Sequence, residues 1–287
     1  MELLMPELFE VDTPSEAWRK FEAIFKPTAR SEQAAVTEAL DRVLALDLEA
    51  PHDLPSFPRS TVDGYAVAAQ DTYGASPGLP AYFTIVGEIP MGQVADLDLD
   101  EGQCALVHTG GMLPEDADAV VMVEHTREIR SLDSGEWAIE LYRPAAVGQN
   151  VIQVGEDVRR GETILAAGHQ LRPQDVGGLL ALGITQVDVA VPPRVAILSQ
   201  GDEVVPPDRA PGPGQVRDIN SYTLAALTGR AGGRPLTYPI IPDDLDALST
   251  GAARALAEAD LLVMSAGSSV SFRDMTARVI AKLGEPG

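Results

Sequence analysis

The chain has 287 residues, 45% of them hydrophobic, with 43 acidic against 21 basic side chains and a formal net charge of −22. That length and apolar content specify a globular protein of roughly two domains rather than a disordered chain. The acidity argues against nucleic acid or an anionic membrane as the main partner, and leaves an anionic substrate in need of a local cation, such as a divalent metal held by Asp and Glu. The single cysteine, Cys104, cannot form an internal disulfide and reads as a buried, inert thiol in the run Cys104-Ala105-Leu106-Val107. His52, His108, His125 and His169 lack the i, i+2 or i, i+4 spacing of a histidine metal centre. No stretch approaches eighteen unbroken apolar residues, and the acidic start Met1–Glu7 is unlike a signal peptide, so a cytoplasmic protein is expected.

In chain order, Asp12-Thr13-Pro14 predicts a helix start, followed by Trp18, Phe21, Ile24 and Phe25 at helical spacing. Ser31–Leu40 is helix-prone throughout and is expected to form a second helix. Val43–Leu48 passes into a strand. Short β-type runs follow at Tyr82–Val86, Cys104–His108, Ala119–Val123 and Trp137–Leu141, separated by Gly, Pro and Asp clusters, which suggests a small β-rich domain. Gln174–Leu182 reads as a helix ending at Gly183, and Pro192-Pro193 as a stiff linker. From Arg194 the pattern becomes βαβαβα. Strands are expected at Val195–Ser199, Leu236–Ile241 and Leu261–Ser265, with helices near Tyr222–Leu227, Leu245–Ala257 and Asp274–Leu283, giving a parallel sheet covered by helices.

The most informative stretch is Leu54-Pro55-Ser56-Phe57-Pro58-Arg59-Ser60-Thr61-Val62-Asp63-Gly64-Tyr65-Ala66-Val67. Pro55 and Pro58 hold a loop extended, Arg59, Ser60 and Thr61 offer donors, and Asp63-Gly64 reads as a turn in which Gly takes φ > 0. A carboxylate beside hydroxyls and an Arg suits a metal-bridged anion; an Asp capping its own turn before a strand is the alternative. In Thr109-Gly110-Gly111 the glycines let backbone approach a ligand beside a hydroxyl, although a hairpin loop has the same composition. Gly155-Glu156-Asp157 presents adjacent carboxylates, which an exposed acidic turn would also do. In a parallel sheet ligands bind beyond the carboxyl ends of the strands. There this chain carries Gln200-Gly201-Asp202-Glu203, Asp243-Asp244, and Ala266-Gly267-Ser268-Ser269-Val270-Ser271 leading to Asp274. The last loop opens a helix and suits a phosphate.

Taken in order, these segments resemble the molybdopterin molybdenumtransferase family, MoeA and the gephyrin E domain. The resemblance runs through the Asp63-Gly64-Tyr65-Ala66-Val67 stretch with the later Asp71, Asp41-Arg42-Val43-Leu44-Ala45, Thr109-Gly110, Asp118-Ala119-Val120-Val121 with Glu124, Gly155-Glu156-Asp157, Gly201-Asp202-Glu203, Asp218-Ile219-Asn220 and Asp243-Asp244. Asp41 stands where the family usually has Gly, Gly111-Met112 replace Ala-Pro, and Ser268 and Ser271 depart from the third loop's pattern. The resemblance implies an α+β multidomain fold. Residues 1–54 and 152–191 would form a discontinuous elongated connecting domain, 55–151 an inserted β-rich domain, and 192–287 an incomplete three-layer α/β domain. It implies a transferase of molybdenum cofactor biosynthesis that uses Mg²⁺, inserts molybdate into adenylylated molybdopterin and releases AMP. Asp63, Thr109, Asp157, Glu203 and Asp274 would be catalytic. Arg59, Ser60, Gly110, Asp218, Asn220, Gly267, Ser268 and Ser269 would bind substrate, and Glu203, Asp243, Asp244 and Asp274 would meet the metal. A homodimer is implied, with the site shared between the β domain of one chain and the α/β domain of the other, as is a molybdopterin adenylyltransferase partner. Family members continue past Gly287 with a Lys-Pro-Gly-Lys-Pro loop, more of the sheet and a terminal β domain, so a C-terminal truncation is expected. The only lysines are Lys20, Lys26 and Lys282. A homologue that binds pterin or nucleotide without turnover, and a dimeric scaffold, are the alternatives.

Overall fold

The computed structural model describes residues 12–26, 28–130, 135–265 and 275–284. The chain forms two compact units, one drawn from Met1–Ala45, Gln170–Val176 and Thr185–Gly287, the other from Leu46–His169 and Gly177–Ile184.

The first unit opens with α1 (Pro14–Ile24). Thr13 Oγ1 accepts the Glu16 N–H at 3.3 Å, and Glu16 Oε2 accepts the Thr13 N–H at 3.0 Å. Two otherwise orphaned donors are thus satisfied, while Pro14 brings no N–H to orphan. Trp18, Phe21 and Phe25 follow one another along one face, with neighbouring ring centroids 5.6 and 5.0 Å apart. The segment after it corrects the sequence expectation: Ser31–Leu40 is not a helix. Ser31–Ala35 is strand β1, paired antiparallel with Gln186–Ala190, and Val36–Glu38 is one 3-10 turn. Helix propensities differ by only tenths of a kcal/mol per residue, and a short uncapped helix pays the nucleation cost alone, so a long-range strand ladder outweighs them.

The second unit holds β2 (Leu48–Glu49), β3 (Arg59–Ser60), β4 (Gly64–Val67), β5 (Ala81–Glu88), β6 (Gln103–Val107), β7 (Ala119–Met122), β8 (Thr126–Arg130), β9 (Trp137–Leu141), β10 (Val151–Ile152) and β11 (Thr163–Leu165). Six of these make one sheet in the order β7-β4-β6-β5-β9-β8, antiparallel except between β5 and β6. The four β-type runs read from the sequence all lie in it; β8 was not among them, because Thr126-Arg127-Glu128-Ile129-Arg130 is too polar to announce a strand. β4 is buried along its whole length. Tyr65 and Val67 enter one core with Phe83, Cys104 and Ile139, while Ala66 enters another with Val107, Leu113 and Val120. Alternate residues of an inner strand serve opposite faces, so β4 ties both cores to whatever precedes it. Cys104 is fully buried, as expected, and burial pushes its thiol up to about 12.

α2 (Pro173–Ala181) is followed by Gly183 at φ +69°. Beyond it lie β12 (Gln186–Ala190), β13 (Arg194–Ser199), β14 (Val204–Val205), β15 (Val216–Arg217), α3 (Asn220–Arg230), β16 (Arg234–Thr237), α4 (Leu245–Glu258), β17 (Leu261–Ser265) and α5 (Thr276–Leu283). β16, β13 and β17 form the expected parallel sheet with β13 in the middle. β16 ends earlier than the predicted Leu236–Ile241, before Pro239, which has no N–H for the ladder. Ala196 and Leu198 pack on Ala255 of α4, and Leu248 and Ala252 pack on Val279 of α5. Among the described residues, no helix is long and apolar enough to cross a membrane.

Candidate functional site

In the second unit the loop before β4 is threaded between two other segments. Ser60 N–H donates to Gly111 O at 2.9 Å, Gly110 N–H to Ser60 O at 2.7 Å, Leu113 N–H to Pro58 O at 3.1 Å and Thr61 N–H to Asn150 O at 2.9 Å. β3 also pairs antiparallel with β10. These ladders bring Thr109 to Asp63: Asp63 Oδ1 accepts the Thr109 N–H at 2.8 Å and its hydroxyl at 3.2 Å. Gly110 follows at φ +85°, a left-handed position that suits glycine. The Asp63 side chain is 62% exposed. The Thr109 backbone N–H first and then its hydroxyl hold its carboxyl below the usual aspartate range; burial pushes the other way, and the nearby His108 adds the smallest contribution, again downward.

Gly64 has a different role from the one its turn-like setting suggests. Its φ is not among the positive values of the chain, and it is the first residue of β4. A Cβ there would overlap the carbonyl oxygen of Val121 on β7. Close strand approach, not backbone freedom, is what requires glycine after Asp63.

The other predicted residues of this unit divide. Arg59 Nη2 lies 3.5 Å from Asp157 Oδ2, so these two meet as a partly exposed ion pair. Ser60 is buried, and its hydroxyl is committed to Val62, donating to Val62 O at 2.6 Å and accepting the Val62 N–H at 3.2 Å. Two residues were missed. His108 sits with Nε2 2.9 Å from Glu88 Oε1 and Nδ1 3.7 Å from Asp63 Oδ1. No local spacing signals this, because Asp63 precedes β4, Glu88 ends β5 and His108 follows β6; only the register of the sheet assembles them.

In the first unit the polar strand ends surround a cleft of about 560 Å³ beyond the carboxyl ends of β13 and β16. Asp202, Arg209, Asp218, Ser221 and Tyr238 line it, together with Gly201. Asp218 is buried, and its Oδ1 accepts the Ser221 N–H at 3.1 Å at the start of α3. Asn220 is the exposed first residue of that helix. Glu203 curls back so that a Cβ on Gly201, at φ +137°, would sit 2.8 Å from Glu203 Oε2. The Asp243 N–H donates to Asp202 Oδ1 at 3.2 Å. Asp244 is the N-cap of α4, its Oδ1 accepting from Asp246 and Ala247 N–H at 3.1 and 2.8 Å. Among the described residues, no three His, Cys, Asp or Glu gather where they could hold a metal ion. Gly267, Ser268, Ser269 and Asp274 lie outside the described residues. Asp202 and Arg209 are additions to the predicted set. Arg209 puts a cation on a cleft of an acidic protein, and in the sequence it is hidden in the Pro/Gly-rich stretch Pro206–Gly214.

Comparison with known proteins places these residues in a family. Residues 13–183 match the family described as "MoeA N-terminal region (domain I and II)", and residues 196–287 match "Probable molybdopterin binding domain". A molybdopterin molybdenumtransferase of Bacillus subtilis is 33% identical over 260 residues, covering 91% of this chain and 60% of that protein. One from a Nostoc species is 33% identical over 267 residues, again covering 91% of this chain and 60% of the relative. The chain thus spans about three fifths of the length of these curated relatives. The crystal structure of a molybdopterin biosynthesis MoeA protein from Pyrococcus horikoshii matches with a TM-score of 0.82 at 34% identity, covering 96% of this chain and 68% of that one. The chain belongs to the MoeA family.

Proposed function

We propose that this chain carries the molybdate-insertion chemistry of molybdenum cofactor biosynthesis, taking adenylylated molybdopterin and molybdate and releasing AMP. The observation that carries the reading is the convergence of Asp63 and Thr109, 46 residues apart, on one carboxylate oxygen within a chain of this family. Chain topology, not local sequence, creates that meeting, and it leaves an ionised carboxylate at an exposed position. In this reading Asp63, Thr109 and Asp157 orient molybdate and water, Arg59 and Gly110 meet the anionic substrate, Asp218 binds from the cleft of the first unit, and Asn220 binds from the start of α3. Ser60 acts through the backbone turn its hydroxyl closes.

The implied Mg²⁺ is tested by the donors present. Glu203, Asp243 and Asp244 offer only oxygen, the donor type of a hard cation that keeps several of its waters, but among the described residues no three such groups gather into a ready-made site. Asp244 has one oxygen committed to the cap of α4, so Glu203 and Asp243 are the freer ligands, with Asp274 as the further candidate. When bound, the ion would neutralise charge on phosphate and molybdate oxygens. Gly267, Ser268 and Ser269 are assigned to phosphate or pterin groups, and we place the protein in the cytoplasm as a homodimer receiving its substrate from a molybdopterin adenylyltransferase. The three-domain division at residues 1–54 with 152–191, 55–151 and 192–287 belongs to the same reading.

The test is AMP release from adenylylated molybdopterin by the purified chain with molybdate and Mg²⁺. Release that depends on both is expected; ligand binding without release would support the binding-only alternative instead. Arg59→Ala is expected to weaken substrate binding about tenfold, since one guanidinium contact to an anion is lost, and isothermal titration reads it. An unchanged affinity would leave Arg59 as the structural partner of Asp157.

A further inference from the structure

We propose that His108, held by Glu88, is a positioning residue for Asp63, fixing which carboxylate oxygen is turned toward substrate. The proposal deepens the reading above and rests on it for the role of Asp63. His108 directly follows β6, whose neighbours in the sheet are β4 and β5. Register sets Glu88, the last residue of β5, opposite Leu106, and Gly64 opposite Val107. The imidazole therefore falls between a carboxylate from each neighbouring strand. Nε2 is 2.9 Å from Glu88 Oε1, and Nδ1 is 3.7 Å from Asp63 Oδ1. That same Oδ1 takes both Thr109 bonds. All of these groups gather on one oxygen and leave Oδ2 as the one to face a ligand.

Ring chemistry makes the arrangement directional. A neutral imidazole has one N–H and one lone pair, so between two carboxylates it always turns a lone pair toward one of them. Only the imidazolium turns an N–H toward both, as a hydrogen bond to Glu88 and as a charge contact with Asp63. With Nε2–H held by Glu88, loss of the second proton takes the positive end away from Asp63. Among the described residues, β5 supplies Glu88 and the loop before β4 supplies Asp63. The sole titratable residue of β4, Tyr65, has its hydroxyl committed to Glu128 at 2.6 Å. The direction of the Asp63 shift, to which His108 contributes less than Thr109, agrees with this geometry.

The experiment follows the side-chain carboxyl signal of Asp63 by ¹³C NMR across pH in the wild-type chain, His108→Gln, Glu88→Gln and His108→Arg. In His108→Gln, which removes the cation, the Asp63 midpoint should rise by about half a pH unit, whereas Glu88→Gln, which keeps the imidazolium and removes an anion, should not raise it. His108→Arg, which keeps a cation, should restore the midpoint. In turnover, His108→Gln and Glu88→Gln should lower kcat about fivefold with KM changed less than about twofold, as expected when orientation rather than affinity is lost. Asp63 curves that superimpose in all four proteins would overturn the proposal. The NMR readout needs no substrate: should the wild-type chain release no AMP, the proposed function fails, while shifted or superimposed curves still decide for or against the His108 arrangement.

Discussion

Asp63→Asn is expected to lower the rate of AMP release about a hundredfold while moving the melting temperature by less than about 2 °C. The two effects separate because of where the side chain sits. It is 62% exposed, so its replacement opens no cavity. Asparagine keeps an oxygen for the Thr109 N–H and hydroxyl, so the loop closure at 2.8 and 3.2 Å persists. What disappears is the negative charge. The sign of the pH effect follows from the lowered carboxyl: the contribution of Asp63 to folding is present above its unfolded pKa and is lost only as pH falls through the lower folded value. The wild-type acid limb assigned to Asp63 should therefore lie below the usual aspartate range and be missing from the variant. Rate measurements across pH, paired with thermal melts, check both. A large fall in melting temperature with proportional loss of rate would make Asp63 a structural cap and no more.

How much of this was legible beforehand depends on whether a feature is set by neighbours in sequence or by neighbours in space. The start of α1 was readable because capping is local: Thr13, Pro14 and Glu16 complete it within four residues. The parallel strands β13 and β17 were readable because buried strands are continuous apolar runs. Ser31–Ala35 was misread because its conformation is decided by pairing with Gln186–Ala190, some 150 residues away, which no local propensity reports. The candidate site divides in the same way. Motif residues such as Asp63 and Thr109 stand out by type and order, whereas His108 and Glu88 join them only through the β4-β6-β5 register. Ser60 shows the converse limit: its hydroxyl looked available by composition but is used by its own turn. Asp244, chosen as a metal-binding carboxylate, has its described hydrogen bonds at a helix cap, a pattern that Asp244-Leu245-Asp246 at the head of an apolar-periodic segment already carries.

The glycine after Asp63 supports the other large effect. Gly64→Ala is expected to destabilise the chain by about 3 kcal/mol or more, lowering the melting temperature by about 10 °C. The added methyl group would meet the Val121 carbonyl oxygen and, at 2.8 Å, Val120 Cγ1. One obstacle is backbone in the ladder between β4 and β7 and the other is a side chain in a packed core, so neither can swing aside. The control is Gly177→Ala inside α2, where a Cβ meets nothing within 4 Å. There the substitution should stabilise by about 0.5–1 kcal/mol through helix propensity and a less flexible unfolded chain. Opposite signs from the same chemical change would identify steric approach, not loss of glycine flexibility, as the cause. Relief of the clash requires β4 to move from β7, and the Val123 N–H bond to Asp63 O at 3.2 Å spans that gap. Any Gly64→Ala protein that still folds should therefore also lose the Thr109–Asp63 contact, seen as a changed Thr109 amide signal. An intact Thr109 signal in a destabilised variant would mean that the loop holds Asp63 independently of the strand, and that the glycine serves the core alone.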